Sequence, residues 1–157
     1  MTTPLDDVLL RLTEMDKAVL TGADSVGEFF YAQESYPFFV HRLSRFSIED
    51  IAIDLQTVTY TILKRLVLGP VTSGFEREAE QQIHTWLPTI LLYYGQRRQL
   101  KRTSADADVV FLNEKGALIT GGQADYALQV SGIGSTLFGI DFEVEVPMDL
   151  YTDQLIF

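Results

Sequence analysis

Asp141, Glu143 and Glu145 recur at every second position of Phe138–Val146, and in an extended chain that spacing sets them on one face, about 6.6–7 Å apart. Such a row serves a divalent cation only if further oxygens come from elsewhere, because neighbours so spaced cannot share a coordination shell at about 2.3–2.6 Å. The same row equally makes a solvated face, or an acidic surface with an electrostatic task. His41 and His84 are the only histidines, so imidazole base or metal chemistry would rest on one of them. His84 falls on the polar side of a predicted helix and His41 within a predicted strand, positions ordinarily held by surface or packed histidines.

Gly69-Pro70-Val71-Thr72-Ser73-Gly74 has the glycine spacing of a phosphate loop, but Phe75 and Glu76 stand where Lys and Ser or Thr would reach phosphate and magnesium. Gly132 and Gly134 open a dinucleotide-like pattern that Leu137 and a following strand break. No His-Glu-x-x-His, EF-hand or Gly-x-Ser-x-Gly pattern occurs. The sequence therefore assigns no catalytic residue, metal ligand or cofactor. The remaining charged cluster is basic: Arg97, Arg98, Lys101 and Arg102. Cations there complement the dipole at a helix C-terminus, or pair with the acidic part of a neighbouring subunit.

The elements that would position these groups follow from periodicity. Thr3, Pro4, Asp6 and Asp7 supply a cap, a first-turn proline and dipole-friendly acids, and Leu5, Val8, Leu9, Leu12, Met15 and Val19 continue at helical spacing. A helix is predicted from Pro4 to Leu20, ending near Gly22. The aromatic-rich text from Gly27 to Val40 predicts an irregular approach to a strand, extended at Tyr36-Pro37. Asp50–Leu68 reads as one long strand, with Val58, Tyr60 and Ile62 alternating with threonines, paired with a strand near Phe38–Arg45. It stops at Gly69-Pro70.

Ser73 and Glu76 have capping-box spacing, and Phe75, Ala79, Ile83, Trp86, Leu87, Ile90, Leu91 and Tyr94 form an apolar stripe through a second helix, kinked at Pro88. Strands are predicted at Asp108–Leu112, Ala117–Thr120, Tyr126–Val130 and Thr136–Val146, with a turn at Asn113–Gly116. In the last strand Asp141, Glu143 and Glu145 are expected on a wet face.

Composition sets the outer limits. The chain has 157 residues, 46% of them hydrophobic, and no cysteine, which fits one core and excludes disulfides and thiolate metal sites. The N-terminal text lacks a secretory pattern and no apolar run reaches the ~20 residues that span a bilayer, so a cytosolic, membrane-free protein is expected. A net charge of −10 argues against specific binding to nucleic-acid phosphates. From Thr103 onward nine acids stand against Lys115 alone, which places eight of the ten net negative charges in that final third.

The expected architecture is a single α+β domain over residues 1–157: two main helices packed on a mostly antiparallel sheet as a two-layer sandwich, with 149–157 a candidate docking tail. The order of elements resembles the tail-terminator or neck (head–tail joining) proteins of tailed bacteriophages. The resemblance rests on the N-terminal helix, the hairpin through Thr57–Gly69, the helix ending Trp86-Leu87-Pro88-Thr89-Ile90-Leu91-Leu92-Tyr93-Tyr94, and the β-rich end Phe138–Val146. It implies a virion protein, assembled in the host cytoplasm, that forms a homo-oligomeric ring of six. That ring would end the tail tube and join it to the head connector, with DNA passing through the lumen.

An acidic lining would suit that passage by repelling the duplex. Interface residues on this reading are Arg97, Arg98, Lys101, Arg102, Asp141, Glu143, Glu145 and the apolar terminus Leu155, Ile156 and Phe157. Two alternatives stand beside it: another phage tail-completion or tube-like structural protein, and a small carboxylate-metal-dependent enzyme on the Asp141–Glu145 face.

Overall fold

The computed structural model describes residues 3–20, 25–26, 36–72, 74, 76–130 and 134–151. Seven elements follow in order: α1 (Pro4–Leu20), β1 (Ser25–Val26), β2 (Phe38–Ala52), β3 (Leu55–Pro70), α2 (Glu76–Gly95), β4 (Leu118–Leu128) and β5 (Leu137–Tyr151). The strands form one sheet in the order β1-β2-β3-β5-β4, antiparallel throughout except for the two-residue β1. This is the expected two-layer α+β sandwich. Among the described residues no helix is long and apolar enough to cross a membrane.

Alternation along β3 and β5 builds the two faces. Ile62 and Leu66 on β3, with Phe138, Ile140, Phe142, Val144, Val146 and Met148 on β5, turn toward the helices and close a core with Val8, Leu12 and Met15 of α1 and Ala79, Ile83 and Ile90 of α2. The intervening residues, Thr57, Thr59, Thr61 and Arg65 with Asp141, Glu143 and Glu145, occupy the opposite face. A smaller core of Phe38, Val67, Leu128, Val130 and Leu137 covers one end of that second face.

Helix α1 has its predicted bounds, opened by reciprocal bonds between Thr3 and Asp6: Asp6 N–H to Thr3 Oγ1 at 3.1 Å and Thr3 N–H to Asp6 Oδ2 at 3.0 Å. Helix α2 runs through Pro88 to Gly95. Four strand assignments need correction. Asp50–Ala52 belongs to β2, which turns at Ile53–Asp54 into β3, so the hairpin is longer and lies earlier than its alternation suggests. Asp108–Leu112 is not a strand: Leu112 makes a single bridge to Met148, and Asp149 N–H donates to Phe111 O at 2.7 Å.

The turn at Asn113–Gly116 forms, closed by Gly116 N–H on Asn113 O at 2.9 Å, but its flanks do not pair with each other. Gly116 adopts φ 73° with its α-carbon against the Arg98 carbonyl, where a side chain has no room. Ala117–Thr120 and Tyr126–Val130 merge into one strand, β4, because both segments pair along the same edge of β5. The predicted helix end near Gly22, Ser73, Phe75, the link 131–133 and most of the aromatic segment lie outside the described residues; Tyr36-Pro37, inside them, is a bend with a cis peptide.

Candidate functional site

The densest polar chemistry is buried between α1, α2 and the sheet: His41, one of the two histidines of the sequence, is a packed one, and it meets Tyr94 of the apolar stripe and two charges, Asp16 and Lys64, that sequence patterning passed over. Asp16, His41 and Lys64 are each completely enclosed, and Tyr94 is nearly so. Lys64 Nζ lies 2.6 and 2.7 Å from the two oxygens of Asp16, 2.8 Å from His41 Nε2 and 3.2 Å from the Tyr94 hydroxyl oxygen. The Tyr94 hydroxyl donates to Asp16 Oδ1, and His41 Nε2 sits against Asp16 Oδ2. Phe39 and Tyr94 present ring faces to the ammonium, 4.6 and 4.5 Å from their centroids.

Hydrogen-bond roles close around the lysine. Thr13 donates its hydroxyl to Leu9 O at 2.9 Å, which leaves its lone pairs facing His41 Nδ1 at 3.5 Å. Lys64 donates to Asp16 and to the Tyr94 hydroxyl, and His41 Nε2 meets both the ammonium and Asp16 Oδ2, so the imidazole tautomer decides which of the two it bonds.

The electrostatics agree with a charged pair beside a neutral imidazole. Burial works against the Asp16 carboxylate, but Lys64 and His41 outweigh it and hold its pKa below the usual value. Burial first, and the Lys64 charge second, push His41 down. Burial likewise lowers Lys64 against the pull of Asp16, and burial together with Asp16 drives Tyr94 well up. With no exposed surface on the three central groups, the cluster is closed to any substrate in this conformation. It pins both helices to β2 and β3.

Its sequence signal is a charge in a core phase. Lys64 stands between Ile62 and Leu66 on the apolar side of β3, and Asp16 lies four residues after Leu12 on the apolar side of α1.

The acidic row on β5 is real as a row but not uniformly wet. Asp141 is only 7% exposed and is held by Arg65, with Nε to Oδ1 at 2.8 Å and NH2 to Oδ2 at 3.3 Å. Both its oxygens are taken by one guanidinium. Glu143 is half-buried and meets Arg45, whose side chain is largely open to solvent, at 3.9 Å. Glu145, also half-buried, lines a shallow depression with Glu49, Thr57, Thr59 and Lys115. The open face remains predominantly acidic, since Asp149 joins it through Thr57 Oγ1 at 2.8 Å and Asn113 Nδ2 at 2.8 Å. Among the described residues no three His, Asp or Glu side chains converge as a metal site would require.

The basic segment is used mostly within the chain. Arg97 donates to Tyr93 O at 3.1 Å, satisfying a carbonyl at the end of α2, and stacks 4.0 Å from the Tyr93 ring centroid. Lys101 meets Asp108 at 2.9 Å, and Arg102 meets Glu14 at 2.6 Å and Asp106 at 2.9 Å. Those bonds to Arg102 hold Asp106 well below the ordinary carboxylate range. Arg98 is exposed and makes no ion pair among the described residues.

Beneath the segment Arg11, 4% exposed, donates to Leu100 O at 3.1 Å and Ala107 O at 2.7 Å. It thereby fixes a loop in which buried Leu100 adopts φ 56°. Leu155, Ile156 and Phe157 lie outside the described residues.

The second helix departs from its predicted stripe. Ala79, Ile83, Ile90 and Tyr94 are buried, but Leu87 is 37% and Leu91 42% exposed. Both line a groove of about 440 Å³ between α2 and β4, floored by Ile140 and Phe142. The groove exists because β4 presents Gly122 and Ala124 to the helix side, opposite Phe142 and Ile140. A Cβ on Gly122 would strike the Asp141 carbonyl oxygen.

A scan against protein-family models finds no match to the chain, and a search of curated proteins finds none either.

Proposed function

We propose that the chain is a structural assembly subunit, the tail-terminator or neck protein of a tailed-bacteriophage virion, working as a ring that ends the tail tube and meets the head connector. One observation carries the assembly part of this reading: the sheet is left open in the ways that subunits use to join. Among the described residues the edge of β2 beyond Val40 has no strand partner, nor has the outer edge of β4. An unpaired edge is a template for another strand.

The helix-free face supports the lumen part. It carries Glu49, Asp125, Asp141, Glu143, Glu145 and Asp149 against Arg42, Arg45, Arg65 and Lys115, a net acidic surface of the kind that repels a duplex passing through. The polar chemistry fits the same role. The strongest charge cluster is sealed and ties helices to sheet, Asp141 is committed to Arg65, and three of the four basic residues fold their own loop. The resemblance noted in the sequence supplies the phage context.

Sedimentation velocity and negative-stain microscopy at about 0.05 and 0.3 M salt test it. Screening at the higher salt should favour closed rings, since ten net negative charges per copy repel at low salt. Purified rings should cap tail tubes and halt their growth. A chain that stays monomeric at both salts and neither binds nor stops tubes overturns the reading.

A further inference from the structure

Several of the exposed apolar side chains fall into one row. On β2, Phe46 is 61% and Ile48 57% exposed, and Ile53 at the hairpin tip is fully exposed. Phe46 pairs with Tyr60 and Ile48 with Val58, so both project from the helix side of the sheet. Leu43, 38% exposed and paired with Ile62, begins the same row. Leu10, 51% exposed, lies one helical turn before Thr13, on the flank of α1 that Thr13 turns toward His41 of β2. The result is an apolar ledge along one edge of the sheet. Along the opposite edge runs the α2–β4 groove, with Leu87, Leu91 and Ile119 on its walls.

From these two features, and resting on the ring reading above, we propose that the ledge of one copy seats in the α2–β4 groove of the next. The edge of β2 then runs beside the outer edge of β4. Three observations select a second copy as the occupant. The ledge projects large apolar side chains and the groove is cleared by the small residues Gly122 and Ala124, so knob and hole belong to the same chain. They lie at opposite edges of one sheet, which is the arrangement of a head-to-tail contact that closes into a ring or extends as a filament. On the other face, β2 carries Arg42 and Arg45 ahead of Glu49, and β4 carries Gln123 and Asp125, so the Arg42–Arg45 stretch is opposite in charge to the acidic residue of β4.

The test uses two variants of the full chain. F46S/I48S alters only exposed ledge residues, and L87E/L91E alters the partly exposed groove wall; unchanged circular dichroism and melting midpoints certify that both fold. Each alone should weaken self-association by on the order of a hundredfold, about tenfold per side chain removed from a buried contact. Mixed at equal concentration, the two should form a 1:1 heterodimer and nothing larger, because one intact ledge meets one intact groove. Because the chain has no cysteine, I48C/L91C adds a direct readout. Oxidation should link successive copies into a ladder, whereas I48C alone should not.

Wild-type assembly that both variants leave intact overturns this interface while the ring reading survives. Heterodimers failing to form on mixing, with each variant dissociated, overturn the head-to-tail geometry. A wild-type chain that never associates, either alone or on tail tubes, removes both readings.

Discussion

Replacing Lys64 with Met keeps most of the volume and removes all three ammonium donors from the sealed cluster. Asp16 would then be a fully buried carboxylate supported by the Tyr94 hydroxyl and its neighbour His41. Breaking a buried pair by removing one partner costs about 3–5 kcal/mol, a large part of the 5–15 kcal/mol that typically separates folded from unfolded.

The pH dependence makes the prediction specific. In the wild type, Lys64 helps hold Asp16 below its ordinary pKa. Without Lys64, burial drives Asp16 up, and the loss of the neighbouring cation lets His41 gain a proton and pair with it. Either event means that the folded variant binds a proton which the folded wild type does not, so the stability deficit is largest near pH 8 and shrinks toward pH 5.5. Urea unfolding followed through Trp86, the single tryptophan, at matched protein concentration and both pH values, measures the deficit. A loss below about 1 kcal/mol, or a deficit that widens on acidification, would refute the argument that this lysine is a desolvated partner of Asp16.

Further outcomes follow from neighbouring groups. His41 is held neutral with a lowered pKa, so the unfolded chain takes up its proton first. Wild-type stability should be complete above about pH 6.5 and decline below it, and H41Q should flatten that decline in urea midpoints taken from pH 7.5 to 5. Arg11→Met strands the Leu100 and Ala107 carbonyls. It should cost about 2–4 kcal/mol and speed amide exchange selectively in residues 97–108. Gly122→Val drives a side chain into the Asp141 carbonyl; it should lower stability by about 1–3 kcal/mol and release amide protection along β4 before β3.

Periodicity alone determined much of this molecule. Helix α1 is written in Thr3, Pro4 and the Leu5–Val19 spacing, and its bounds need nothing beyond local capping and one apolar face. The end of β3 at Gly69-Pro70 and the two-faced character of β5 are likewise local, as is the α+β class. Where the sequence misled, the deciding force was long-range. Asp108–Leu112 has strand composition, but β5 is covered at Met148 by only one bridge from it. The two halves of β4 look separate because glycines interrupt them, yet a single neighbouring edge gathers both.

The candidate sites divide along the same line. Alternation correctly set Asp141, Glu143 and Glu145 on one face, but it could not show that Arg65, across the β3–β5 pair, removes Asp141 from solvent. Arg97, Lys101 and Arg102 are legible as a basic cluster with Asp106 and Asp108 close by in sequence, whereas Glu14 reaches Arg102 only when α1 packs beside the loop. Lys64 and Asp16 stand 48 positions apart, and each alone reads as a misplaced charge. Only tertiary packing brings them together, because a buried ion is tolerated where the opposite charge and the remaining hydrogen-bond partners arrive from other elements.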